Sequence, residues 1–173
     1  MLLGPPAHLP AADSTPPVRF ADNFSHNLAQ WSVEQMPGGR VEIHDGALVI
    51  EDAGGTTGWF RPRLTAPVEI TYYVGYGGNN NTTTRFRRYD GTSERPLLPA
   101  HDRHAPDLLL KANHVYQIKL IARNGTAEFW RDGELIFSHA DPSPLTSGYF
   151  AFRTVRSHLV IRNFRVQSAA PAP

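Results

Sequence analysis

The chain has 173 residues, 40% of them hydrophobic and 19% charged, which is the balance of a single globular domain large enough to bury a core. A formal net charge of +1 supplies no global field, so nucleic acid and anionic membrane surfaces are not expected partners. Without cysteine there is no disulfide frame, thiolate metal site or thiol nucleophile.

Residues 1–17, MLLGPPAHLPAADSTPP, are proline, alanine and small polar residues without periodicity, and read as a disordered leader or linker. They lack a basic n-region and their apolar run stops after Leu3, so they are not an intact signal peptide. The compartment stays open, with a secreted or periplasmic location favoured over a cytoplasmic one. One folded domain is expected over residues 18–167, followed by a flexible tail over 168–173. No run approaches the ~18 apolar residues of a membrane span.

Within the domain the sequence predicts short strands and almost no helix. Asp45-Gly46, Asp90-Gly91, Asn124-Gly125 and Asp132-Gly133 are dipeptides that close hairpins. The runs beside them, VEIH, ALVIED, VYQIKLIA, TAEFWR and ELIFSHA, are rich in the β-branched and aromatic residues that strands prefer. GYFAFRTV and HLVIRNFRV complete the series. Asp107 to Lys111 is the one predicted helical turn, among loop residues marked by Pro96, Pro99 and Pro106. Turn signals every 8–12 residues or so predict an all-β, two-sheet antiparallel β-sandwich of jelly-roll type.

Alternation assigns the faces. Val68, Ile70, Tyr72, Val74 and Tyr76 point together and are expected in the core, as are Phe150, Phe152 and Trp31. Trp59, Arg61, Tyr73, Arg85, Arg87, Tyr89, Tyr149 and Arg153 point outward and are offered as one solvent-facing surface. Spacing does not say which strands are neighbours.

The segment Tyr72 to Tyr89, YYVGYGGNNNTTTRFRRY, concentrates aromatics, amides and arginines beyond what a core strand needs. Such a mixture suits a polar, anionic, ring-shaped ligand, and a sugar is the first candidate. Arg85 and Arg87 each offer the planar fork that holds a carboxylate in two charge-assisted bonds. The alternative is a solvated strand face paired with Glu69 or Glu128. Asn79 and Asn81 offer amide donors and acceptors to hydroxyls, or simply form a tight loop. Trp59 and Tyr73 are the best placed rings for stacking on a sugar, with Tyr89 and Arg153 beside them in the binding set. His101-Asp102-Arg103-His104 is the one histidine cluster and lacks the further spaced ligands of a metal site; no metal or cofactor is expected.

The segments WSVEQMPGG, YYVGYGGNNNTTTRFRRYDG, RPLLPAHD, YQIKLIARNGTAEFWRDGELIF and SGYFAFRTVRSHLVIRNFRV resemble a bacterial family of uncharacterised function. That family is related to the YesU-type proteins associated with rhamnogalacturonan use, within the concanavalin A-like lectin/glucanase jelly rolls. The resemblance covers nearly all of 20–166 and implies a jelly roll whose concave face handles carbohydrate. It also implies that a segment of several dozen residues before Tyr72 is missing here, leaving one or two strands fewer. Two functions follow as expectations. One is a β-eliminating lyase on plant-type acidic polysaccharide, with Arg85, Arg87 or Arg153 neutralising the uronate and Tyr73 and His158 as base and acid. The other is a lectin-like module or accessory domain in which the same residues only bind. The oligomeric state is not legible.

Overall fold

The computed structural model describes residues 17–78, 83–89 and 101–170. In chain order the strands are β1 (Val18–Asp22), β2 (Trp31–Gln35), β3 (Arg40–His44), β4 (Ala47–Glu51), β5 (Thr56–Phe60), β6 (Leu64–Thr65), β7 (Val68–Gly78) and β8 (Thr84–Arg85). They continue with β9 (Asp102–Arg103), β10 (His114–Arg123), β11 (Thr126–Arg131), β12 (Glu134–Ala140), β13 (Ser147–Gly148), β14 (Ala151–Thr154) and β15 (Ser157–Gln167). The helical turn expected over Asp107 to Lys111 is instead a 3-10 turn over Pro106–Leu108, shared with the expectation only at Asp107 and Leu108. No helix among the described residues is long and apolar enough to cross a membrane.

Three of the four expected hairpin dipeptides turn as their residue types dictate. Asp45-Gly46, Asn124-Gly125 and Asp132-Gly133 all have positive φ at both positions, which closes two-residue turns between β3 and β4, β10 and β11, and β11 and β12. Asp90-Gly91 lies outside the described residues.

The strands form an antiparallel sandwich. The large sheet runs β12-β11-β10-β7-β15-β4-β3, with β1 also paired to β15. The small sheet is β14-β5-β2. β7 is the central strand, paired in register with β10 along one side and β15 along the other. It passes through Thr71 and Tyr72 without a break. β10 pairs with it residue by residue from Val68 to Tyr76, while the register of β15 shifts opposite Tyr72.

The core lies between the two sheets. Val68, Ile70 and Val74 of β7 are buried in it, and Tyr72 packs against it with its ring edge-on to Phe152. Burial pushes the Tyr72 hydroxyl far above the ordinary tyrosine range, so it stays neutral. Trp31 of β2 is the hub: its ring lies within 6 Å of those of Phe24, Phe60, Phe152 and Phe164. One carboxylate fixes that hub, since Asp22 accepts from the Trp31 indole at 2.9 Å and from the Phe24 backbone at 2.8 Å. In β15 the register shifts between Arg162 and Arg165, at Asn163, whose φ is +52°. This bulge lets Ile161 and Phe164, three residues apart, both reach zero exposure on the inner side.

The small sheet is narrower than the large one, and part of the inner face of β10 to β12 is covered by irregular chain. Phe86 and His101 pack their rings on Phe137 and His139. Arg131 is buried under the 3-10 turn, donating to the Leu108 carbonyl at 2.8 Å and lying 5.3 Å over the Tyr116 ring. Past β15, Ala169 is buried and the Ala170 carbonyl accepts from Arg123 at 2.8 Å, so 168–170 lie against the sheet.

Trp31→Ala is expected to lower unfolding free energy by about 3–5 kcal/mol, the range for deleting a core aromatic. Trp59→Ala, on the outer side of the small sheet, is expected to cost under about 1 kcal/mol. Urea unfolding of both variants checks the contrast.

Candidate functional site

The outward positions of the large sheet mix polar, charged and aromatic side chains with Val115, Ile121 and Val160. Tyr73, 39% exposed, stands at the middle of the central strand. Its cross-strand neighbours are Gln117 on β10 and Arg162 on β15. On the same face of β7, Gly75 and Gly77 follow, so no side chain rises beside the Tyr73 ring in that direction. A Cβ at Gly75 would lie 3.6 Å from the Val160 Cβ, and one at Gly77 would lie 3.3 Å from the His158 ring. Backbone therefore floors this part of the face, and His158 closes over its far end.

The surrounding groups are held in place by one another. Lys119 sits 4.4 Å over the Trp130 ring, and the Trp130 indole donates to Glu128 at 2.8 Å. Gln167 donates to Glu69 at 3.0 Å. His158 Nδ1 is 2.7 Å from the Glu51 carboxylate. Arg162 donates to the Asp45 carbonyl at the β3–β4 turn. The face thus carries a ring, amides, hydroxyl-matching carboxylates and cations, with charges of both signs interspersed.

The residues expected on one surface are distributed over three. Tyr73 and His158 share the large-sheet face, but His158 is opposite Gly77, four register positions from Tyr73. At the rise of a strand that is on the order of 13 Å. Trp59 and Arg153 belong to β5 and β14, and lie on the outer side of the small sheet, across the sandwich. There Arg153 donates to Thr57 at 3.0 Å. Alternation distinguishes inward from outward but not one outer face from the other, which is the physical reason for the error. Asn79 and Asn81 lie outside the described residues.

Arg85, Arg87 and Tyr89 form a third location. Arg85 is committed: its Nε and Nη2 each donate to Asp102 at 2.8 Å, a bidentate pair across the β8–β9 ladder. The expected alternative of an ion-paired strand face therefore describes Arg85, with Asp102 as partner where Glu69 or Glu128 was expected. The hydrogen bond from Arg85 holds the Asp102 carboxyl below the usual carboxylate range, helped by the charge of Arg85 and by His104, 3.3 Å away. Arg88 binds Asp141 and donates to the Ser143 carbonyl at 2.8 Å; the Arg88 bond, with the Ser143 backbone N–H donating to Asp141 at 2.9 Å, holds the Asp141 carboxyl below the usual carboxylate range. Arg87 and Tyr89 line a cavity of about 490 Å³ at the end of the sandwich, with Asn124 of the β10–β11 turn, His139 and Asp141. Asp141, His139 and Asn124 were not singled out in the sequence. Only Asn124 carried a signal, as a turn residue. No group of three or more histidine or acidic side chains placed to share a metal ion occurs among the described residues.

A family model described as a domain of unknown function, DUF6250, matches residues 70–164. Among solved structures, a protein of unknown function with galectin-like fold from Bacillus subtilis superposes with TM-score 0.65 at 16% identity, over 90% of this chain and 97% of that one. The carbohydrate-binding module CBM66 from Bacillus subtilis gives 0.55 at 13% identity, over 82% and 98%. A prokaryotic beta-1,3-1,4-glucanase (lichenase) derived from a mouse hindgut metagenome gives 0.58 at 12% identity, over 87% and 99%. These likenesses show the jelly-roll fold. Curated protein sequences give no match.

The Asp102 carboxyl titrates lower in the folded protein than in the unfolded chain, so it adds stability above the unfolded value of about 3.9. That contribution is lost as pH falls through the folded value. Urea midpoints of the native protein and Asp102→Asn are expected to differ by a constant amount above about pH 5 and to converge below about pH 4.

Proposed function

The chain belongs to the DUF6250 family, and we propose that this member is a carbohydrate-binding jelly roll that holds its ligand against the outer face of the large sheet. The observation that carries the reading is the setting of Tyr73. One ring stands exposed on the central strand, a glycine-floored strip lies beside it, and Gln117 and Arg162 flank it. A sugar offers an apolar C–H face to such a ring and hydroxyls to amide, carboxylate and guanidinium groups. Neighbours of the same fold named as a carbohydrate-binding module and a lichenase support a carbohydrate ligand.

The finer assignment to plant-type acidic polysaccharide rests on the resemblance to YesU-type proteins and on the arginines. The large-sheet face itself carries both signs, because Glu51, Glu69 and Glu128 stand among Lys119, Arg123, Arg162 and Arg165. It suits neutral as well as acidic sugars.

Binding is favoured over β-elimination by the separation of the two groups assigned to proton transfer. A base and an acid acting on one sugar ring must both lie within hydrogen-bond reach of it. Tyr73 and His158 stand four register positions apart along the face, and His158 is engaged by Glu51. Arg85, assigned to the carboxylate, is held by Asp102.

Titration calorimetry with oligosaccharides of glucose, galactose and galacturonate tests the reading. Tyr73→Ala is expected to weaken binding about tenfold or more, as for an aromatic anchor at the centre of a contact. Trp59→Ala, on the opposite side of the molecule, is expected to leave it unchanged. Equal binding by Tyr73→Ala and the native protein overturns the assignment to this face. On a uronate polymer no conjugated, ultraviolet-absorbing unsaturated product is expected; its appearance overturns the binding-only reading.

A further inference from the structure

Arg87 differs from every neighbouring cation in the end cavity. Arg88 is neutralised by Asp141, and Arg123 lies 3.5 Å from Glu128 and donates to Ala170. The His139 ring packs on Phe86 and His101. Arg87 makes no ion pair with a described carboxylate, and its Nε–H is buried with no hydrogen-bond partner. That Nε is closed to water as well, so a ligand in the cavity meets the guanidinium through its terminal nitrogens, which no described carboxylate neutralises. The cavity at that position is about 490 Å³, within the size range of small-molecule sites. Its other walls are Phe86, Pro67 and Leu145, which are apolar, and the Asn124-Gly125 turn, whose amide side chain is polar. A shallower hollow of about 260 Å³ continues from it past Tyr149 and Phe150.

We infer that this cavity is a second ligand site, which takes the carboxylate end of a sugar acid against Arg87. Among the described residues the charge arithmetic selects a monoanion, since one lining cation remains after the two ion pairs are counted; a phosphate dianion would meet the Asp141 carboxylate with too little positive charge to offset both. The lining selects a ligand with an apolar face, as a pyranose ring has and a small inorganic anion lacks. The adjoining hollow gives the next sugar residue a place beside Tyr149. The inference deepens the carbohydrate reading above and rests on it for ligand class, but it uses a different part of the molecule. The large-sheet face supplies contact with a neutral or acidic chain, and the end cavity supplies recognition of its acid group.

The test uses the full chain and D-glucuronate, D-glucose, acetate and inorganic phosphate as probes, followed by chemical-shift titration. Glucuronate is expected to bind the native protein at least tenfold more tightly than glucose or acetate. Arg87→Gln is expected to abolish that margin, and Arg87→Lys to retain part of it. Leu145→Trp, a change at a highly exposed side chain that fills the cavity without disturbing the core, is expected to weaken glucuronate binding as well. Native affinity for glucuronate in Leu145→Trp or Arg87→Gln overturns the site, as does phosphate binding as tightly as glucuronate. Tyr73→Ala separates the two readings. Loss of neutral-oligosaccharide binding with glucuronate retained is the expected result, whereas loss of both places the carboxylate on the sheet face and overturns the cavity assignment. Unchanged neutral binding in Tyr73→Ala sinks the face reading and leaves the Arg87 result standing.

Discussion

Everything in this molecule hangs on the aromatic contact that joins two sheets of unequal width. Trp31 comes from the three-stranded sheet and Phe164 from the other, and their rings meet at 5.0 Å with Phe60 and Phe152 closing around them. Asp22, at the end of β1, pins the indole, so the clamp is part of the large sheet as well. Close packing there leaves no freedom in how the sheets sit. The small sheet ends before the large one does. Beyond it, the inner face of β10 to β12 is covered by the two-residue β8–β9 ladder and the irregular chain around it. Such chain carries backbone groups that need other partners, and the buried Arg131 supplies two of them through Leu108 and Asp107. The end cavity is a product of the same mismatch, since irregular chain seals a β-face less completely than a second sheet would.

Much of this architecture was legible from residue types because local rules and tertiary packing agree along most strands. β7 reads as a strand of period two and is one, and the Asn-Gly and Asp-Gly turns adopt the conformations their small or amide-bearing residues permit. β15 shows where reading stops. Counted by alternation, Ile161 and Phe164 fall on opposite faces, yet both are fully buried. Asn163 accepts positive φ and absorbs the extra residue, and nothing in the local pattern of HLVIRNFRV announces it. The site was less legible for a related reason. Period two reports which residues avoid the core, whereas a ligand face depends on which strands become neighbours. Tyr73 and Trp59 are both outward residues on aromatic strands, and the sandwich places them on opposite sides. Arg85 looked available because Asp102 is 17 residues away in sequence; only the β8–β9 pairing brings the fork and the carboxylate together.

The electrostatics of the molecule are those of pairs. Arg85 with Asp102, Arg88 with Asp141 and Arg123 with Glu128 each cancel locally, so the clustered arginines leave little local field. Pairing also stiffens the irregular segments. β8 is tied to β9 through Arg85, and the stretch after it is tied to the end of β12 through Arg88. A loop held by two guanidinium forks presents the residue between them, Arg87, in a fixed orientation. Rigid supports of this kind lower the ordering cost of binding.

The position of β15 has a consequence for how the chain reaches this state. The last strand in sequence lies inside the large sheet, with β7 on one flank and β4 and β1 on the other. The β10–β11–β12 meander and the β3–β4 hairpin close over two-residue turns and can form from local contacts alone. β7 can join β10 as soon as that strand exists. Its second edge, however, stays open until β15 is available far downstream, with partners such as Ile70 and Val166 lying 96 residues apart. Long-range pairing of this kind is slow, and an unpaired apolar strand edge is the element most prone to recruit another chain. For this fold the hazardous interval in biogenesis is the wait for one strand, and the half-built sheet is the species that a chaperone or a low expression temperature would protect.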